Sequence, residues 1–148
     1  MRVTAVPWDH PDADELRAAQ RVEIAARYGR PDSEPGVAPS AGDIAHFVVA
    51  YDPHAVGCGG LRRLDDRTGE IKRMYVRAER RGTGVAGAVL TALETHAREL
   101  GWTRLRLETG DQQPDAVAFY TRAGYTPIPR FGAYAAEPSS LCFERELA

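Results

Sequence analysis

Residues 81–87 read Arg-Gly-Thr-Gly-Val-Ala-Gly, and they separate a strand-like run from a helix-like run. The run before them, residues 70–76, is rich in residues that favour strands. After them, apolar residues recur every four positions from Val85 to Ala97, as in a helix with one buried face. Glycines at such a junction let backbone amides approach an anion, which a helix N-terminus also attracts. The segment therefore predicts a phosphate-binding loop, and a glycine-rich surface turn fits the same pattern.

On either side of this loop the sequence alternates between strand and helix patterns. An acidic helix start at residues 9–15 leads to Tyr28, and residues 30–43 hold three prolines and two glycines typical of a loop. The order predicts one domain over residues 1–148, with a mixed sheet and helices on both faces. The predicted strands are 46–51, 55–64, 70–76, 102–108, 125–130 and 141–147, and the later helices cover 85–100 and 114–123.

The composition excludes several classes of protein. The 148 residues carry a formal net charge of −2, so nothing predicts a general affinity for nucleic acid or for an anionic membrane. No apolar run reaches the 18 or more residues of a membrane span, and the N-terminus lacks the apolar core of a signal peptide. Two cysteines, Cys58 and Cys142, do not make a disulfide framework. These features predict a cytoplasmic protein.

The glycines also fit a dinucleotide-binding pattern. Gly82, Gly84 and Gly87 match G-x-G-x-x-G, and Glu108 follows about 20 residues later, as that pattern requires. However, five largely charged residues separate Val76 from the first glycine, where a Rossmann strand would run almost directly into it. Only 61 residues follow Gly87, too few for the remaining parallel strands and a substrate domain. The sequence therefore argues against an NAD-dependent oxidoreductase.

Three blocks in order resemble the GCN5-related N-acetyltransferase (GNAT) superfamily. Arg81, Gly84 and Ala86 match its R/Q-x-x-G-x-G/A signature, and residues 74–76 resemble its splayed fourth strand. The run Ala116-Val-Ala-Phe-Tyr-Thr-Arg-Ala-Gly-Tyr125 resembles a third block of the family. The resemblance covers about residues 44–148 and is closest to small single-domain bacterial members. It implies an α+β fold, with a mostly antiparallel, splayed sheet of six to seven strands flanked by about four helices.

The resemblance also implies acetyl-CoA as cosubstrate, without a metal. The glycine loop would hold the pyrophosphate. The backbone of the preceding strand would pair with the pantetheine arm and offer an amide, that of Tyr75 or Val76, to the thioester carbonyl. Gln113 stands where the family often has an asparagine that contacts CoA. Its side chain is longer than that of asparagine, so whether Gln113 makes the same contact is an open question. The residues expected to bind the cofactor are Met74, Tyr75, Val76, Arg81, Gly82, Thr83, Gly84, Val85, Ala86, Gly87 and Gln113.

Acetyl transfer to an amine needs a base for the amine, a donor for the oxyanion and an acid for the departing thiolate. By resemblance Tyr120 is the general acid, although an aromatic anchor between helix and sheet fits the same position. Glu108 is the first candidate for the base, and Glu70 the second. Glu108 shares a strand face with Arg104 and Arg106, so a structural ion pair is the alternative.

The acceptor is predicted to be a primary amine of a small molecule, an amino acid or a peptide. The first helix and the loop 30–43 should form one wall of its pocket, and the segment 126–140 the other. Arg80 and Arg81 are expected to form a basic patch for phosphates, and family members commonly form homodimers through the last strands. A non-catalytic module that binds acyl-CoA as a sensor remains the alternative function.

Overall fold

The computed structural model describes residues 1–30 and 38–147. Residues 31–37, which form part of the predicted loop 30–43, lie outside the described residues. The described elements are, in chain order, β1 (Arg2–Ala5), α1 (Pro11–Tyr28), β2 (Ile44–Tyr51), β3 (Ala55–Arg63), β4 (Thr68–Val76), α2 (Val85–Glu99), β5 (Arg104–Gly110), α3 (Pro114–Arg122), β6 (Thr126–Ile128) and β7 (Ser140–Glu146), with short 3-10 helices at Ala78–Arg80 and Gly132–Ala136.

One seven-stranded sheet joins all the strands in the order β1-β2-β3-β4-β5-β7-β6. Only β4 and β5 pair in parallel within it, and every other neighbouring pair is antiparallel. The predicted α+β class and the number of strands are thus confirmed. The described chain has three α-helices and two 3-10 helices, where about four helices were expected. The six strands predicted individually are all present, and β1 adds a seventh beside β2.

Helices cover both faces of the sheet because β2 and its neighbours are apolar on both sides. Phe47 and Val49 pack with Leu16 of α1 on one face. Val48 and Ala50, which alternate with them, pack on the other face in the cluster that contains α2 and α3. A strand directs successive side chains to opposite faces, so this doubly apolar run requires a helix on each side.

The sheet opens in its middle. β4 and β5 pair from Thr68 opposite Arg104 to Glu70 opposite Arg106, and beyond that point the two strands separate. On the other side of β4, the register with β3 shifts between Cys58 and Gly60. This bulge contains Arg73, the one non-glycine residue with a positive φ (58°) in the described chain. The separation leaves a splay between β4 and β5, bounded by α1 on one face and α3 on the other.

Candidate active site

A cavity of about 900 Å³ occupies the splay and extends to the glycine loop. We refer to it as the large cavity. Its walls come from α1, the end of β4, the loop at 81–87 and α3, so elements far apart in the sequence meet there. The residues that line it include Gln20, Glu23, Met74, Tyr75, Val76, Arg80, Arg81, Gly82, Gly84, Ala86, Gly87, Gln113, Phe119 and Tyr120.

The glycine loop presents unused amides to this cavity. Gly82 and Gly84 have φ of +77° and +92°, values that only glycine adopts freely, and Gly84 caps the N-terminus of α2. No described backbone acceptor bonds the amides of residues 82–87, whereas the next amide, that of Ala88, bonds the carbonyl of Gly84. A Cβ placed on Gly82, Gly84 or Gly87 would meet no atom of the described residues within 4 Å. The loop thus has room and free donors for a phosphate.

Side chains at the start of this loop form hydrogen bonds and ion pairs with other residues of the protein. Arg81 donates from Nε to the carbonyl of Val76 at 2.9 Å and from Nη2 to Glu23 at 2.7 Å. Arg80 bonds Asp52 through both the carbonyl and the carboxylate. Both arginines of the expected basic patch thus form ion pairs within the protein, and both also line the large cavity. The hydroxyl of Thr83 donates to the carbonyl of Arg80 at 2.5 Å, and Val85 is buried in the core, so neither side chain lines the large cavity.

The end of β4 supplies a further free amide. Arg77 donates its amide to the carbonyl of Val56 on β3, and Tyr75 pairs with Cys58 of β3. Because peptide direction alternates along an antiparallel strand, Val76 between them directs its amide into the splay. The geometry thus points to Val76 rather than Tyr75 as the donor of an amide there. The carbonyl of Met74 accepts a hydrogen bond from Gln20 Nε2 at 2.8 Å.

A smaller cavity of about 170 Å³ adjoins the large one and reaches further between β4 and β5. We refer to it as the small cavity. The predicted walls are present in part: α1 contributes Gln20 and Tyr28, and the segment 126–140 contributes Glu137 and Ser139. From β4 and β5 it is lined by Ile71, Lys72, Arg73, Met74, Leu107, Glu108, Thr109 and Gly110.

Tyr120 lines both cavities, as do Gln113 and Gln20. Its ring is buried in the core beside Tyr125, with the ring centroids 5.7 Å apart. Burial raises the pKa of the Tyr120 hydroxyl well above its ordinary value, so the phenol stays protonated. Among the described residues nothing forms a hydrogen bond with this hydroxyl. A buried, protonated phenol at the junction of two cavities can act as a proton donor.

The two candidate bases occupy different environments. Glu108 lines the small cavity, and its Oε2 accepts a hydrogen bond from the buried Ser140 hydroxyl at 2.7 Å. Glu70 is 1% exposed and lines neither cavity. Its carboxylate accepts hydrogen bonds from Arg62 at 3.2 Å and from the Tyr134 hydroxyl at 2.6 Å. The geometry therefore favours Glu108 over Glu70.

Three residues at the site carry no signal in the sequence analysis. Gln20 lies on α1 and donates a hydrogen bond to the end of β4. A glutamine on a helix is ordinarily expected at the surface, and no neighbouring residue in the sequence indicates this contact. Arg73 lines the small cavity from the bulge in β4, which the sequence does not reveal. Ser140 could have been found from strand alternation, because it lies opposite Gly110 at the end of the β5–β7 pairing, near Glu108.

The two cysteines are free thiols buried in the core. Burial raises the pKa of Cys58 to about 12, and burial likewise raises the pKa of Cys142. Neither thiol therefore forms a thiolate readily. Within residues 1–30 and 38–147 no three His, Cys, Asp or Glu side chains are grouped as a metal site would require. None of the helices in these ranges has the length and apolar run needed to cross a bilayer.

Comparisons with known proteins agree with this geometry. Residues 8–125 match the family described as Acetyltransferase (GNAT) family. The chain is 35% identical over 106 residues to an IAA acetyltransferase from Azospirillum brasilense, covering 71% of this chain and 69% of that protein.

Solved structures share the fold over nearly the whole chain. A provisionally named acyl-CoA N-acyltransferase from Klebsiella pneumoniae superposes with a TM-score of 0.84 at 29% identity, covering 99% of this chain and 97% of that one. A GNAT family acetyltransferase from Elizabethkingia anophelis, with acetyl-CoA bound, superposes with a TM-score of 0.72 at 17% identity, covering 99% and 97%. The latter identity is low enough that the likeness concerns the fold alone.

The residues present fit the cofactor of this family. A pyrophosphate needs donors and space, which the free amides and empty Cβ positions of the glycine loop provide, and an extended arm needs an unpaired strand edge, which β4 provides. Together with the match over residues 8–125, these features identify the chain as a member of the GNAT family, an N-acetyltransferase that uses acetyl-CoA.

Proposed function

We propose that the protein transfers an acetyl group from acetyl-CoA directly to a primary amine of a small molecule, an amino acid or a peptide. The observation that carries the proposal is the position of Tyr120, whose side chain lines both cavities. A donor in the large cavity and an acceptor in the small cavity would thus meet beside one protonated phenol. No covalent acetyl-enzyme is needed, because both substrates can be present together.

Each residue then has one task. The amides of residues 82–87 hold the pyrophosphate, Gln113 lines the path between the cavities, and the amide of Val76 faces the thioester carbonyl. Acetyl-CoA supplies the activated acetyl group. Glu108 takes a proton from the acceptor ammonium, so that the nitrogen lone pair forms the new N–C bond. Tyr120 gives its proton to the sulfur as the C–S bond breaks, and the second proton of the attacking nitrogen passes to the Tyr120 phenolate, which restores the phenol and leaves the neutral amide.

The direct test is release of free CoA thiol from acetyl-CoA over a panel of amines. Turnover with at least one primary amine, together with acetylated product of the expected mass, is the expected result. Acetyl-CoA that raises Tm without any turnover across the panel would instead support the sensor alternative. The predicted homodimer and cytoplasmic location stay predictions, and the mass of the protein in solution would test the first.

Replacing Glu108 by Gln is expected to lower kcat/KM for the amine by about 100-fold. The amide side chain keeps the size and the hydrogen bond from Ser140 but cannot take a proton. The loss should shrink as pH rises, because more of the amine is then deprotonated in solution. Initial rates of thiol release between pH 6.5 and 9.5 measure this. Glu146→Gln is the matched control, since Glu146 is exposed, pairs with Arg104 on the same strands and lines neither cavity.

Replacing Gly87 by Ala separates stability from cofactor binding. Gly87 lies in the first turn of α2, and an added Cβ meets nothing in the free protein. Alanine favours a helix over glycine, so the free energy of unfolding should rise by about 0.5–1 kcal/mol. The methyl group would intrude on a bound pyrophosphate, so KM for acetyl-CoA should rise about ten-fold, with the amine KM unchanged. An unchanged KM for acetyl-CoA would contradict phosphate binding at this loop.

A further inference from the structure

The small cavity carries opposite charges on its two strand walls. Arg73 lines it from β4 and Glu108 lines it from β5. Since the two strands have separated beyond Glu70 and Arg106, these side chains come from opposite sides of the splay. A molecule that fills this cavity therefore lies between two residues of opposite charge.

Three other charged residues also line the small cavity, and they too contact the protein. The guanidinium of Arg30 lies over the Tyr28 ring, 5.7 Å from its centroid. The ammonium of Lys72 donates to the Tyr134 hydroxyl at 2.8 Å and lies 3.7 Å from Glu70, so it joins the segment 126–140 to the sheet. Glu137 accepts hydrogen bonds from both the amide and the hydroxyl of Ser139 within that segment, and these bonds lower its pKa.

Arg73 has an unusual backbone for a residue in a strand. Its φ of 58° lies in the left-handed region, which a long side chain adopts only where the surroundings impose it. This φ coincides with the shift in register with β3, and Arg73 is among the residues that line the small cavity. Strained backbone of this kind is typical of sites that position a functional group.

We propose that the acceptor is a small aminocarboxylate, such as an α-amino acid, with its amine at Glu108 and its carboxylate bound by Arg73. The inference rests on the proposed function and deepens it by naming the substrate class. A guanidinium matches a carboxylate with two parallel hydrogen bonds, which an uncharged group cannot replace. A volume of about 170 Å³ admits a compact molecule with both charged groups close together.

The test compares each of the twenty amino acids with its own carboxamide, which keeps the size and the amine but lacks the negative charge. Thiol release from acetyl-CoA is measured for the wild type, Arg73→Gln, Arg73→Lys and the control Arg67→Gln. Arg67 is exposed in the turn between β3 and β4 and lines neither cavity. In parallel, Tm is measured with CoA present, with and without each amino acid, for the same four proteins.

We expect the wild type to prefer at least one amino acid over its carboxamide by ten-fold or more in kcat/KM. Arg73→Gln should lower kcat/KM for that amino acid by about 10- to 100-fold, mainly through KM, and change the carboxamide by less than about three-fold. Arg73→Lys should keep part of the preference, and Arg67→Gln all of it. A Tm of Arg73→Gln close to that of the wild type shows that the fold is intact.

Three results would overturn the inference, and they differ from failure of the proposed function. Carboxamides or simple amines used as well as amino acids by the wild type would exclude the aminocarboxylate and leave the transferase. If Arg73→Gln lowered kcat/KM equally for the amino acid and its carboxamide, the role of Arg73 would be structural. If no acceptor turned over, the proposed function would fail, and the Tm measurements would test the carboxylate site by themselves. An amino acid that raises Tm of the wild type but not of Arg73→Gln would support the carboxylate site. If no amino acid raised Tm, the carboxylate site would be excluded.

Discussion

Replacing Tyr120 by Phe is expected to lower kcat by about 100- to 1,000-fold, while KM for acetyl-CoA changes by less than about two-fold. The variant keeps the ring, which packs against Tyr125 and Phe119, and removes only the hydroxyl that lines both cavities. Burial raises the pKa of this hydroxyl, so it stays protonated throughout the range in which the protein is assayed. The variant leaves the departing sulfur without its proton donor.

Steady-state thiol release and the binding of acetyl-CoA, measured by the change in Tm, test this expectation together. Tyr125→Phe is the matched control, because its hydroxyl donates to Glu94 at 2.9 Å and lines neither cavity. It should lose stability and keep kcat. If Tyr120→Phe kept more than half of the wild-type kcat, Tyr120 would be the aromatic anchor that the sequence also allows, and another acid would be required.

Replacing Gly69 by Ala is expected to destabilise the protein by about 3 kcal/mol and to lower Tm by roughly 10 °C. A Cβ at Gly69 would lie 2.1 Å from a ring carbon of Trp102, which is buried in the core. Gly69 pairs with Leu105 in the short parallel stretch where β4 and β5 still meet. The indole therefore cannot move aside without disturbing the junction on which the splay depends.

Thermal unfolding of Gly69→Ala and Gly42→Ala separates this clash from the general effect of removing a glycine. Among the described residues, an added Cβ at Gly42 would have only the Ser40 hydroxyl nearby, at 3.8 Å, and should be tolerated. A Tm for Gly69→Ala within about 2 °C of the wild type would show that Trp102 can be accommodated elsewhere. We also expect the clash to reduce activity, since the base of the splay positions both cavities.

The sequence was informative where the chemistry depends on neighbouring residues. The glycine loop lies between the end of β4 at Val76 and the start of α2 at Val85, and its glycines and the helix start follow from local rules. The candidate role of Tyr120 was predicted from the spacing of residues in the block 116–125, which resembles the family. Gln20 and Arg73 could not be predicted in this way, since the first depends on how α1 crosses β4 and the second on a one-residue bulge.

The arginines of the loop show the limit of reading charge from sequence. Arg80 and Arg81 adjoin the glycines, and clustered cations near a helix N-terminus suggest an anion. Asp52 and Glu23, which lie 28 and 58 residues away in the chain, already hold them. Pairing over such separations is a property of the tertiary structure. Asp12, Asp14 and Glu15, which belong to the acidic helix start, likewise bind Tyr51, Arg17 and Arg77.

The splay also bears on how the protein avoids aggregation. Exposed strand edges invite pairing with another chain, and proteins usually blunt them. The outer strands here are short: β1 has four residues, and β6 has three, including Pro127. The long unpaired edge of β4 is instead enclosed between α1 and α3, and side chains occupy its carbonyls at Met74 and Val76. A slender cofactor arm can reach such an inward edge, while a strand of a neighbouring protein is kept out.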